Sequence, residues 1–185
     1  MANISEAVGS NNSMREYAKT ASIQLGWDSG LIYAQWVLET GNFTSNVFKT
    51  DNNLAGIKFV STRNNPGASP GSEADDGGVY AHYPSVSAGV QGYINFIKAN
   101  PRYSNVKTGK TLVEQATILK NDGWATDPTY VSKVVAIAGG NGDVNISSAT
   151  AGLIGSSNGI TEKAGRIVKS PIFWIVLLVG LIFKP

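Results

Sequence analysis

Apolar side chains recur at helical spacing along most of the chain. The clearest run places Val86, Val90, Ile94 and Ile97 on one helix face, and a helix there should stop before Pro101. Capping residues and apolar runs predict further helices at Ser13 to Leu25, from Asp28 or Ser29 to about Gly41, at Thr111 to Asn121, and from Pro128 to Gly139. The chain is therefore predicted to be mainly helical.

Residues with known capping behaviour mark several of these helix ends. Ser13 and Glu16 have the spacing of a capping box, which predicts that the first helix starts there. Gly41 suits a left-handed C-terminal cap, and Asp127 followed by Pro128 is typical of a helix start.

A different pattern separates the second and third helices. The segments GIKFV at 56–60 and VYAHY at 79–83 predict two short strands. Between them, 61–78 (STRNNPGASPGSEADDGG) is polar and rich in Gly, Pro and Asn, so we expect a long loop. Loops of that length in a compact domain are often functional.

The chain has room for one globular domain and additional segments. It contains 185 residues, of which 42% are hydrophobic. We predict an N-terminal extension at 1–12, a globular domain at 13–139, a flexible linker rich in Gly, Ser and Asn at 140–165, and a hydrophobic tail at 166–185.

The tail contains an apolar run from Pro171 to Phe183, flanked by Lys169 and Lys184, which predicts contact with a lipid membrane. As a helix the run would measure roughly 20 Å, less than the hydrocarbon core of about 30 Å. It would span a bilayer only with local thinning and snorkelling lysines, or would insert part-way. The alternative is a helix packed against the domain's own core, and the absence of a polar face argues against it.

Composition limits the chemistry. The formal net charge is +2 and the lysines are scattered, so nucleic-acid binding is not predicted. The absence of cysteine and the single histidine exclude zinc clusters, thiol nucleophiles and histidine-dependent triads, and we predict neither a metal site nor a cofactor. The first residues lack a basic start and an apolar run, so a secretory signal peptide is not expected.

Glu39 is the most distinctive ionisable residue. It shares a helix face with Ile32 and Trp36 and lies in the last turn, where the helix dipole disfavours an anion. Desolvation beside these groups would raise its pKa, which suits a general acid. A solvent-facing glutamate at a fraying helix end is the alternative, and the residues alone do not decide between the two.

Several motifs, in order, indicate a family. QWVLETGNF, NNLAGIK, YPS, NPRY and GWATDPTYVSKV, within residues 14–139, resemble the peptidoglycan endo-β-N-acetylglucosaminidases of glycoside hydrolase family 73. This resemblance implies a lysozyme-like α+β fold with a mainly helical lobe, a small β-lobe and a glycan groove between them. The hydrophobic tail would add a C-terminal helix.

The resemblance also implies site residues. Glu39, in the ETG motif, matches the family's catalytic glutamate, and a second carboxylate is expected from the β-lobe. Glu73 is our first choice for that carboxylate, with Asp75 and Asp76 as alternatives. The pair's separation would decide between direct displacement and attack by an activated water.

Further matches concern substrate contacts. Tyr130 matches the tyrosine of the TDPxY motif and would support the oxocarbenium charge or hold the N-acetyl group. Trp124 stands where many relatives have tyrosine, which keeps a flat ring for sugar stacking but loses any hydroxyl role. Asn53 and Tyr83 match the NLxGIK and YPS segments, and for Asn53 a turn role is the favoured alternative.

The predicted function is hydrolysis of peptidoglycan after N-acetylglucosamine by a phage virion protein that opens the cell wall during entry. A lytic transglycosylase of the same fold is one alternative. A non-catalytic protein that binds the wall and anchors in a membrane is another. Peptidoglycan strands and a lipid membrane are the expected partners, with other virion proteins as further candidates.

Overall fold

The structure is a computed structural model that describes residues 11–61 and 65–139. Its elements, in chain order, are α1 (Asn11–Leu25), α2 (Ser29–Glu39), α3 (Asn46–Asp51), β1 (Ser69–Glu73), β2 (Val79–His82), α4 (Val86–Ala99), two 3-10 turns (Pro101–Tyr103 and Val106–Thr108), α5 (Leu112–Asn121) and α6 (Tyr130–Gly139). The predicted combination of a mainly helical body and a small β-element is confirmed.

Helix α2 lies at the centre of the helical body. Its residues from Leu31 to Trp36 are all buried, and α1, α5 and α6 all pack against it. The side chain of Asp28 caps its start by accepting hydrogen bonds from the backbone N–H groups of Gly30 and Leu31, at 2.7 and 3.2 Å. This cap fixes where the helix begins, so its C-terminal residue, Glu39, also has a fixed place beside the core.

Hydroxyl side chains cap two other helices. The Ser85 hydroxyl accepts from the Ala88 N–H at 3.1 Å and starts α4. The Thr111 hydroxyl accepts from the Glu114 N–H at 3.2 Å and starts α5. In both cases a hydroxyl satisfies a backbone donor that has no partner inside the helix.

Two predicted helix starts are wrong. Ser13 lies inside helix α1, which already includes Asn11, so the predicted start at Ser13 is wrong. Helix α6 begins at Tyr130, after Pro128, because Asp127 first organises a short turn by accepting from the N–H of Thr129 at 2.8 Å.

The β-element also differs from the prediction. The predicted strand at 56–60 forms only an isolated bridge, between Lys58 and Tyr80. Instead β1 lies within the predicted polar loop and pairs antiparallel with β2. The strand Ser69–Glu73 is formed by backbone hydrogen bonds, and it lacks the alternation of apolar residues from which a strand could be predicted.

A buried carboxylate attaches the hairpin to α3. Asp51 accepts from the Ser72 N–H at 3.1 Å and lies 3.3 Å from Nδ1 of His82, so it contacts both strands. The register of the two strands is irregular between Pro70 and Glu73. A Cβ atom on Gly71 would lie 2.6 Å from Oδ1 of Asp51, so the carboxylate and glycine shape this irregularity together.

Within the described residues, no helix combines the length and apolar character needed to cross a membrane. The predicted extension, linker and tail, including the apolar run 171–183, lie almost entirely outside the residues that the structure describes. The domain boundaries therefore stay predictions.

Candidate active site

Glu39 is the last residue of α2, and an unusual turn follows it. The Thr40 hydroxyl donates to the carbonyl oxygen of Trp36 at 2.5 Å and accepts from the N–H of Phe43 at 2.8 Å. Gly41, Asn42 and Phe43 then have φ angles of 56°, 58° and 62°, so the chain passes through three consecutive left-handed residues.

Burial of Phe43 holds this turn in place. A bulky residue in the left-handed region carries strain, on the order of 1–3 kcal/mol. The Phe43 ring is 7% exposed and lies 5.9 Å from the ring of Tyr33 and 5.5 Å from that of Phe48, between ring centroids. Core packing therefore offsets the strain, and the chain reverses immediately after Glu39.

Burial raises the pKa of the Glu39 carboxyl group from 4.5 to about 7. The side chain retains some exposure to solvent, which the supply of a proton to a ligand requires. The indole N–H of Trp124 faces the carboxyl group and lowers its pKa, in partial opposition to burial. That N–H completes no hydrogen bond among the described residues, so we treat the interaction as an electrostatic contact. Of the two interpretations open from the sequence, the geometry supports the shielded acid.

Trp124 is held by three other aromatic rings. Tyr93 and Phe96 each lie 6.4 Å from it and Tyr103 lies 5.5 Å away, all in edge-to-face geometry between ring centroids. Such contacts favour one orientation of the indole. Sugar stacking on Trp124 stays a prediction.

Tyr130 is the first residue of α6 and lies close to Glu39. Its side chain is 1% exposed, and burial followed by the charge of Glu39 raises its pKa. Its hydroxyl completes no hydrogen bond among the described residues. The sequence places this tyrosine in the site through its motif, and the structure puts it beside the acid.

Sequence reasoning missed two buried polar residues in this region. Gln35 lies one turn before Glu39 on α2, and its amide oxygen accepts from the Tyr93 hydroxyl at 2.7 Å. Both side chains are fully buried. A polar residue inside the apolar run LIYAQWVL, four positions before the acid, is the signal that could have identified Gln35.

The three candidates for the second carboxylate occupy the hairpin. Glu73 ends β1, while Asp75 and Asp76 lie in the turn, and all three are exposed. Asp76 accepts from Lys58 Nζ at 2.9 Å and from the N–H of Gly78 at 3.1 Å, and these contacts lower its pKa. Asp76 is thus engaged in a structural contact, and the role of Glu73 stays a prediction.

Asn53 and Tyr83 lie in the scaffold beneath the hairpin. The Asn53 amide donates to the carbonyl oxygens of Ile57 and Ala81, and its oxygen accepts from the N–H groups of Ala55 and Ile57. This pattern matches the turn role. Tyr83 is fully buried, and its hydroxyl accepts from the Asn65 amide at 2.8 Å. Direct contact of either side chain with a glycan stays a prediction.

A family model and a relative with a known name both match most of this chain. The family model described as mannosyl-glycoprotein endo-beta-N-acetylglucosaminidase matches residues 15–142. The chain is 29% identical over 151 residues to the peptidoglycan hydrolase FlgJ of Vibrio cholerae, a match that covers 76% of this chain and 45% of that protein. The chain thus spans less than half the length of this relative.

Solved structures of peptidoglycan-cleaving domains are similar in fold to this chain. The glycoside hydrolase domain from Salmonella typhimurium FlgJ matches with a TM-score of 0.57 and 26% identity, over 70% of this chain and 86% of that one. A peptidoglycan hydrolase from Sphingomonas sp. A1 matches with a TM-score of 0.55 and 26% identity, over 68% and 83%.

Replacing Trp124 with Phe should move the basic limit of cell-wall digestion to higher pH. The indole N–H lowers the pKa of Glu39, so its removal raises that pKa and keeps the acid form to higher pH. The measurement is the rate of wall digestion between pH 5 and 9. Trp27→Phe is the matched control, because Trp27 is a buried indole beyond the opposite end of α2. An unchanged or lower basic limit for Trp124→Phe would contradict the assignment.

Proposed function

Because the chain belongs to the glucosaminidase family, we propose that its described domain hydrolyses the glycan strands of peptidoglycan after N-acetylglucosamine. The observation that carries the proposal is the burial of the Glu39 carboxyl group at the end of α2, which raises its pKa to about 7. A carboxylic acid that keeps its proton near neutral pH can protonate a leaving group, whereas an ordinary glutamate is almost wholly ionised there.

In this mechanism Glu39 donates its proton to the glycosidic oxygen as the bond from that oxygen to the sugar carbon breaks. Positive charge develops at the sugar carbon and ring oxygen. The carbon then accepts the oxygen of water, whose proton passes to a base, so that one water molecule is added across the bond. The substrate's own acetamide is an alternative to a protein carboxylate in stabilising the cation.

We assign the second carboxylate to Glu73, with Asp75 as the alternative within the same hairpin. The engagement of Asp76 with Lys58 and the Gly78 N–H supports this order, since its carboxylate already has two donors. The contacts of Asp51 with both strands give the hairpin a defined geometry, so that Glu73 has a defined approach. The glycan groove would then run between this hairpin and the C-terminal end of α2.

Two aromatic side chains near Glu39 are proposed to contact the substrate. Tyr130 would place its hydroxyl near the reacting sugar, and Trp124 would offer part of its ring to a neighbouring sugar. Both side chains are held by the core, so they would keep their orientation as substrate enters.

We also propose that the protein is carried in a phage particle, with the apolar run 171–183 in contact with a membrane. The support is in the sequence alone. Lys163, Arg166 and Lys169 precede the apolar run, and in a cellular membrane this charge would favour a cytoplasmic position for the enzyme domain, away from peptidoglycan. A viral membrane or tail structure avoids that conflict.

Glu39→Gln in the full chain should reduce the rate of digestion of purified cell walls by about 10³-fold or more, because the amide cannot donate a proton to the leaving group. Glu73→Gln should reduce it by at least about tenfold, while Asp76→Asn, in the same hairpin, should have a small effect. Release of soluble glycan measures the rate, and thermal unfolding checks that each variant is folded.

Mass spectrometry of the products tests the reaction type. Reducing ends at N-acetylglucosamine are expected, whereas anhydro-muramic ends would show a lytic transglycosylase instead. Undiminished wall digestion by Glu39→Gln would show that Glu39 is not the catalytic acid. No release of glycan by the unmodified chain would leave wall binding as the role of the domain.

The particle assignment predicts that the protein copurifies with virions. Quantitative mass spectrometry of purified particles and of host membrane should show it enriched in particles. Enrichment in host membrane and absence from particles would contradict the assignment.

A further inference from the structure

A buried polar cluster lies behind the acid. Gln35 from α2, Tyr93 from α4 and Tyr130 from α6 meet there, with side-chain exposures of 0%, 0% and 1%. Polar groups at such depth are costly to retain unless they are paired or serve a function. The cluster therefore requires an explanation beyond packing.

The Tyr93 hydroxyl fixes the orientation of the Gln35 amide. It donates to Oε1 of Gln35 at 2.7 Å, so the amide nitrogen must point away from Tyr93. Gln35 also lies near the hydroxyl of Tyr130. Neither the amide nitrogen of Gln35 nor that hydroxyl completes a hydrogen bond among the described residues. The Gln35 amide is therefore available as a donor near the Tyr130 hydroxyl, and that hydroxyl can still form a hydrogen bond with a further partner.

The direction of the amide decides what the Tyr130 hydroxyl can do. An amide N–H facing the phenol oxygen leaves the phenol proton free to point elsewhere. If the amide were reversed, its oxygen would face Tyr130 and would take that proton. Since Glu39 lies one turn after Gln35 on the same helix, a free Tyr130 proton is available to the region of the acid.

We propose that Tyr93 and Gln35 are positioning residues, which hold the hydroxyl of Tyr130 as a hydrogen-bond donor facing the Glu39 side of the site. This rests on the proposed function, in which Tyr130 contacts the substrate. The Tyr93 hydroxyl and the Gln35 amide oxygen are bonded to each other, so neither group is assigned a contact with substrate. They act only through Tyr130.

The proposal is tested by a double-mutant cycle in the full chain on purified peptidoglycan. Tyr93→Phe should lower kcat by about tenfold with little change in KM, a size typical of coupling within one hydrogen-bonded network. In the Tyr130→Phe background, Tyr93→Phe should have no further effect, because the hydroxyl that it positions is already gone. An equal loss in both backgrounds would overturn the proposal.

Tyr103→Phe is the matched control. Tyr103 packs against Trp124 and lies near Glu39, as Tyr93 does, but its hydroxyl interacts with Arg102 and not with Gln35. Its effect on kcat should therefore multiply with that of Tyr130→Phe. A control that shows the same non-additivity as Tyr93→Phe would overturn the specific role of Tyr93.

A second readout does not depend on activity. The side-chain amide of Gln35 should exchange its hydrogens slowly in the unmodified chain and faster in Tyr93→Phe, but not in Tyr103→Phe, as measured by ¹⁵N NMR. Equal exchange in all three proteins would overturn the positioning role. If the unmodified chain released no glycan, the proposed function would fail, while the amide measurement would still decide whether Tyr93 fixes Gln35.

Discussion

Desolvation of one carboxyl group is the constraint on which the rest of the site depends. Glu39 lies at the end of a helix whose residues from Leu31 to Trp36 are all buried, and the left-handed turn from Gly41 to Phe43 sends the chain back into the core directly afterwards. The acid is thereby kept beside apolar groups with only a partial opening to solvent, and its pKa rises to about 7.

The raised pKa of Glu39 makes the folded state less stable as the pH increases. Between pH 4.5 and 7 the folded state retains a proton that the unfolded chain has lost, so the contribution of Glu39 to stability falls as pH rises through that window.

Buried polar groups around Glu39 also reduce the stability of the folded state. Trp124, Gln35 and Tyr130 each have a buried donor or hydroxyl that completes no hydrogen bond among the described residues. Such groups cost on the order of 1–3 kcal/mol each when they remain unpaired. Their concentration around one acid is understandable if a ligand supplies the missing partners of Trp124 and Tyr130. The hairpin is different, because Asp51 and Asn53 beneath it are buried polar residues with bonded partners on both strands or on the adjoining turn.

Much of the fold could be predicted from the sequence, because helix starts are local. Ser85, Asp28 and Thr111 cap the helices that follow them for reasons that lie within three residues of each cap. The strand Ser69–Glu73 could not be predicted, since its partner Val79–His82 is supplied by the hairpin and its own residues are polar. For the site, Glu39 and Tyr130 followed from their motifs. Gln35 has only a weak signal, as a polar residue in an apolar run, and Tyr93 has none, because their 2.7 Å contact joins two helices that are distant in the sequence.

The central claim is most directly tested by titrating the Glu39 carboxyl group itself. Carbon-13 NMR of the full chain, with the Glu39 signal assigned by its loss in Glu39→Gln, reports the protonation of that side chain from pH 3 to 9. We expect a midpoint near 7, in accordance with a carboxyl group shielded by burial. A midpoint near 4.5, the ordinary value, would contradict the account.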